Sequence, residues 1–143
     1  MKDIMETIKA DASLSTLASY LEKANLVERL KGAGPFTLFA PNNDAFIRMN
    51  IEKTVLDPKV LSGTLTYHLV SGKHSAKELQ EMIPGKLETE NGKSLTLEID
   101  EGEAVIDNGK FVTSDIECSN GVIHIIDNVF QPHLSGWYRE DLM

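Results

Sequence analysis

The sequence predicts an α+β domain. Apolar residues recur at helical spacing through most of residues 1–83, a period of two takes over from residue 85, and strand and helix do not alternate as a parallel winding would require. Segregated elements of this kind place helices on one side of a sheet.

The elements follow in order. Leu14, Leu17, Ala18 and Leu21 fall at i, i+3, i+4 and i+7, with Asp11 or Ser13 available as a cap, so residues 13–24 read as an amphipathic helix. Ile4 and Ile8 give a shorter helical turn before it. Leu26, Val27 and Leu30 continue into a second short helix that Gly32, Gly34 and Pro35 stop. FTLFAP (36–41) is apolar on both faces, which suits a short strand in the middle of a sheet. Asn42 then caps a helix: Asn43 and Asp44 sit at its positive end, and Ala45, Phe46 and Met49 follow at helical spacing.

Residues 57–70 begin with Asp57 as a cap and Pro58 at the first helical position, and Val60, Leu61, Leu65 and His68 keep the helical period. The closing TYHLV favours strand. Ser75 and Glu78 have the form of a capping box, opening a short helix through Leu79 and Met82 that Pro84 and Gly85 end. KLETE and SLTLEID flank Asn91-Gly92, which predicts a tight hairpin. AVID and KFVTSDIE surround Asn108 and Gly109, and GVIHIIDNVF (121–130) is the last strand. Nothing divides the chain, so residues 1–133 are expected to form a single domain with 134–143 as a C-terminal tail.

The 143 residues are 41% hydrophobic and 25% charged, which excludes a disordered chain, a collagenous repeat and a coiled coil. Fourteen Lys and Arg against 22 Asp and Glu give a net charge of −8. The densest basic stretches, Lys23 to Lys31 and Lys73 to Lys77, contain or adjoin a Glu (Glu28 and Glu78), so no nucleic-acid partner is expected. Asp3, Glu6 and Asp11 interrupt the region where a signal peptide needs an apolar run, and no window approaches 18 apolar residues. The expectation is a monomer that neither exports itself nor spans a membrane.

Catalytic and metal chemistry find little support. The spacings of His68, His74, His124 and His133 match no paired zinc-ligand motif. Cys118 has only His124 near it and reads as a small buried apolar group. No nucleophile elbow, Walker loop or dinucleotide fingerprint occurs, and the acidic stretch EIDEGEAVID (98–107) lacks the order of a calcium loop. No catalytic residue, metal or cofactor is therefore expected.

Three segments taken together carry a resemblance: FTLFAPNNDAF (36–46), TYHLV (66–70) and NGVIHIIDNVFQP (120–132). In order and spacing they resemble the fasciclin-like domain, the family of periostin and the transforming growth factor-beta-induced protein, and the chain is similar to a single-domain microbial-type member. The resemblance implies an N-terminal helical layer packed on a wedge of mainly antiparallel strands. It also implies a non-catalytic role in adhesion or matrix interaction, outside the cell or on its surface, with a protein or matrix partner. In animal relatives integrin recognition is attributed to a Tyr-His pair with bulky aliphatic neighbours, which resembles Tyr67 and His68 with Leu65, Leu69 and Val70. It is also attributed to an Asp-Ile pair, which resembles Asp115 and Ile116, although the flanking Ser114 and Glu117 depart from the family pattern.

Read physically, His68 sits among apolar residues and must find a polar partner, for which Asn43 and Asp44 are the candidates in a network that locks helix to sheet. His124 alternates with Ile123 and Ile125, so it faces the other way, toward a backbone or hydroxyl partner. Asp115 can present a charge to a partner's metal ion or arginine, or end a strand in solvent. The rival to adhesion is a small-ligand or metal-binding protein with a cavity near the Tyr-His pair and His124.

Overall fold

Asp3 opens the helical half with a capping box: its carboxylate accepts from Glu6 N–H while the Glu6 side chain accepts from Asp3 N–H, starting α1 (Ile4–Ala10). Asp11 accepts from Ser13 N–H and begins a 3₁₀ turn (Ala12–Leu14) that runs into α2 (Ser15–Lys23), so the helix expected over 13–24 has a tighter first turn. A short α3 (Val27–Leu30) precedes β1 (Phe36–Pro41). Asn42 Oδ1 accepts from Ala45 N–H at 2.9 Å and hands the strand directly to α4 (Asn43–Met49). Next come α5 (Pro58–Thr66), β2 (Leu69–Ser71) and α6 (Ala76–Glu81), the last capped by Ser75. Five strands follow: β3 (Gly85–Glu88), β4 (Ser94–Asp100), β5 (Glu103–Ile106), β6 (Gly109–Cys118) and β7 (Gly121–Ile126).

The computed structural model describes residues 2–49, 58–83, 85–107 and 109–130. Asp57, Pro84, Asn108, His133 and the tail 134–143 lie outside the described residues, as do the side chains of Met49 and Val60. Among the described residues no helix is long and apolar enough to cross a membrane.

The strands lie in the order β2-β1-β7-β6-β5-β4-β3, antiparallel throughout except for the β1–β7 pair. The strand read as central is central: β1 lies between β2 and β7. Its alternation sorts two cores. Leu38 and Ala40, beside Ile123 and Ile125, face the helices and meet Ile4, Leu17 and Leu21. Phe39 and Ile126 face the other way, into a second core with Tyr67, Leu95, Leu97, Ile106 and Phe130. The N-terminal helical layer on mainly antiparallel strands is thus present.

Two turns differ from expectation. The β3–β4 connection is not a tight Asn91-Gly92 hairpin, because pairing stops at Glu88 opposite Ser94. Only Gly92 in that loop has positive φ (97°), and the Thr89 hydroxyl donates to Lys93 O to close it. The tight turn falls instead at Glu101 and Gly102, φ 49° and 82°, which joins Asp100 to its partner Glu103. The acidic stretch is therefore a hairpin tip. TYHLV also divides: α5 ends at Thr66, Tyr67 and His68 form the turn, and the strand begins at Leu69.

Candidate functional site

His68 closes α5 on itself. Its Nδ1–H donates to Thr64 O, four residues back, at 2.7 Å, and its Nε2 accepts from Phe130 N–H at 2.9 Å. A carbonyl can only accept and an amide can only donate, so these partners fix the neutral Nδ1–H tautomer. The ring is wholly buried and stacked on Phe130, with centroids 4.7 Å apart and planes 5° from parallel. Desolvation by burial is the main reason its pKa falls to about 4, outweighing the Thr64 bond, which acts to raise it.

The expected network of His68 with Asn43 and Asp44 is not the one that forms. Both ring nitrogens are taken by backbone groups. Asn43 instead accepts from Thr16 N–H and donates to Ala12 O and Ser15 Oγ, which pins α4 to the start of α2. Asp44 is exposed in the first turn of α4. The physical reason is local: a histidine one turn beyond a helical carbonyl finds that carbonyl first.

Tyr67 is also fully buried, its hydroxyl 3.1 Å from Ser94 O and 3.2 Å from the Asp107 carboxylate, so it ties the end of α5 to the β4–β6 side of the sheet. Leu65 and Leu69 are buried as well. These four residues, expected at a partner surface, point into the two cores, and burial removes them from direct contact with anything outside.

Asp115 and Ile116 are different. Between Thr113 opposite Ile125 and Ile116 opposite Ile123, β6 carries one residue more than β7. This bulge puts Asp115 at φ 57°, a left-handed conformation that Asp tolerates better than most residues. Asp115 is exposed and Ile116 half-buried.

Three contacts hold the bulge. Asp115 N–H donates to His124 Nδ1 at 3.1 Å, His124 Nε2–H donates to His74 O at 2.8 Å, and Asp115 Oδ1 accepts from Ala76 N–H at 2.9 Å. His124 is thus held by backbone groups, on the face away from Ile123 and Ile125. Its ring stacks on Phe39 and meets Phe111 edge-on. Desolvation is the main cause that lowers its pKa, against the His74 carbonyl and the Asp115 and Glu117 carboxylates, which raise it.

Residues 72–75, between β2 and α6, form a strap over this surface. Thr37, the second residue of β1, donates its hydroxyl to Gly72 O and accepts from His74 N–H. Lys73 pairs with Glu117 at 2.7 Å and His74 faces Glu78 at 3.6 Å. Sequence reasoning missed Thr37: a threonine in an apolar strand carries no sign of the loop it will hold. It also missed Asn120, whose amide accepts from Ile4 N–H and donates to Leu30 O and Gly32 O, gathering α1, α3 and the β6–β7 turn.

Chemically the arrangement is a holder of shape. With both nitrogens of His68 and of His124 bound to backbone, neither ring has a lone pair to give a metal. Among the described residues no group of three His, Cys, Asp or Glu is placed to hold one. Cys118 is buried, with its thiol 3.5 Å from the Thr7 hydroxyl, and desolvation pushes its pKa up, away from thiolate reactivity.

The sequence pattern of the Fasciclin domain matches residues 12–132. The protein sll1483 of Synechocystis is 37% identical over 134 residues, covering 90% of this chain and 73% of its own. Human periostin is 34% identical over 134 residues, 92% of this chain and 16% of periostin. The cell surface glycolipoprotein MPB83 of Mycobacterium bovis is 34% identical over 127 residues, 83% of this chain and 56% of MPB83. Among solved structures, a FAS1 domain pair from the insect cell adhesion molecule fasciclin I superposes with a TM-score of 0.76 at 20% identity, over 92% of this chain and 51% of that one.

Proposed function

The chain belongs to the fasciclin family, and from that premise we propose that it is a non-catalytic surface module whose contact point is the Asp115–Ile116 turn. Relatives named as cell-surface proteins support the general kind, and with it an extracellular or cell-surface location. One observation carries the choice of turn. Of the residues the family resemblance offers for recognition, the Tyr-His pair and its leucines are buried, whereas Asp115 is exposed and Ile116 half-exposed on a bulge held by three bonds. A turn already fixed in one shape loses little entropy on docking. One acidic side chain and one aliphatic edge make a small contact, so affinity at a single site is low and useful retention comes from display in many copies. The partner is a protein or matrix component, not a nucleic acid, given the net charge of −8.

The test is retention of beads carrying the domain on cells and on matrix-coated surfaces. Asp115→Asn keeps an oxygen to accept from Ala76 N–H but removes the charge. Together with Ile116→Ala it is expected to reduce retention about tenfold with circular dichroism unchanged, the loss of two contacts each worth about 1 kcal/mol or less. Equal retention by wild type and variant removes the turn as the contact point, and no retention by wild type removes the adhesive reading itself.

A further inference from the structure

We propose that His124 is a local acid switch: its second proton can enter only at Nδ1, where it displaces Asp115 N–H, and this frees the Asp115–Ile116 bulge and unseats the first turn of α6. The geometry requires the conflict. Nε2 already carries its proton toward His74 O, and the only vacant nitrogen faces the Asp115 amide, itself a donor. Two N–H groups cannot share that 3.1 Å contact. The bulge can yield, because Asp115 sits in a left-handed conformation that costs a non-glycine residue energy, and leaving it relieves that cost.

The same residue offers the new ring proton an acceptor. Its carboxylate now receives Ala76 N–H, the first amide of α6, and turning toward Nδ1–H takes it off that helix. The change thus passes from β7 through β6 to α6 by a single exchange of partners.

Of the charged groups around the ring, the β6 carboxylates favour this outcome and His74 opposes it. From β6 come Asp115 and Glu117, the latter shared with Lys73 of the strap; from the strap comes His74, and from α6 comes Glu78, which faces His74. Neither β1 (FTLFAP) nor β7 (GVIHII) carries a charge, so the two carboxylates of β6 dominate the field at Nδ1. His68 has the same pattern of partners, yet among the described residues it is burial and the Thr64 carbonyl that act on its charge, with no carboxylate as at His124, and Phe130 covers its face, so its protonation belongs to unfolding of the whole domain. The inference concerns the shape of the bulge and does not depend on what the bulge touches.

The experiment is an NMR titration of the intact chain in acid, reading the ring nitrogen shifts of His124 and the amides of Asp115, Ala76 and Phe130. The expected result is conversion of His124 from the Nε2–H form to imidazolium with a midpoint below 6.5. The Asp115 and Ala76 amides shift along the same curve and the Phe130 amide stays fixed. His74→Gln is expected to keep the transition and His124→Gln to lose it. If His124→Gln fails to fold, the wild-type ring shifts still decide. The inference is overturned if His124 titrates without moving Asp115 and Ala76, if His74→Gln abolishes the transition, or if His124 stays neutral until Phe130 changes with the whole fold.

Discussion

The Tyr67-His68 pair illustrates how residue chemistry decides between two uses of the same side chains. A histidine among apolar neighbours must satisfy both nitrogens, and His68 does so with backbone from α5 and from the segment after β7. Removing the ring with His68→Ala leaves Phe130 N–H without its acceptor and opens a void beside the Phe130 ring. Chemical denaturation is expected to record a loss of about 3–5 kcal/mol. Tyr67→Phe keeps the packing and deletes only a hydroxyl, so its expected cost is about 1 kcal/mol. If the pair served as a contact surface instead, both variants would change retention and leave stability intact. Burial of these residues was legible, since Leu65, Leu69 and Val70 surround them in sequence. The partner was not, because polar side chains at a neighbouring helix start look equally able to reach a ring whose own helix already holds the answer.

Elements were legible where the period or a cap is local, and less so where distant chain decides. The Asn42 and Ser75 caps stand where the sequence puts them. The tight β-turn moved from Asn91-Gly92 to Glu101-Gly102 because strand register, set by Leu95 and Leu97 entering the second core, leaves five residues between Glu88 and Ser94. What joins elements across the fold is the part no local pattern displays. Asn120 binds three segments at once, so Asn120→Ala is expected to cost about 3 kcal/mol in urea denaturation, from buried backbone groups of Ile4 and Leu30 left unpaired. Beside it, Gly121 allows β1 and β7 to close, since a Cβ there collides with the Phe36 carbonyl. Thr37→Val tests the strap separately: a cost of about 1–2 kcal/mol and loss of hydrogen-exchange protection at His74 N–H are expected, with the Asn120 contacts unchanged. A strap whose protection is untouched would show that Thr37 does not hold it.

For the molecule as a whole, acid acts in two opposed ways. With a net charge of −8, lowering the pH neutralises carboxylates and relieves repulsion among them. The two buried histidines act the other way. Each has its pKa lowered in the fold, His68 to about 4, while the unfolded chain takes up those protons near 6.5. Their contribution is therefore complete above pH 6.5 and declines as pH falls through the window down to the folded values. For His68 that window amounts to about 3 kcal/mol, a substantial part of the roughly 5–15 kcal/mol that holds a domain of this size. Because the carboxylates are common to wild type and variant, their effect cancels when the two are compared. His124→Gln removes one of the two histidine contributions, so its urea midpoint is expected to decline less between pH 7 and pH 4.5 than that of wild type. Parallel declines would mean that His124 is protonated equally in folded and unfolded chains, and that the hydrogen bonds from Asp115 and to His74 do not hold the ring neutral.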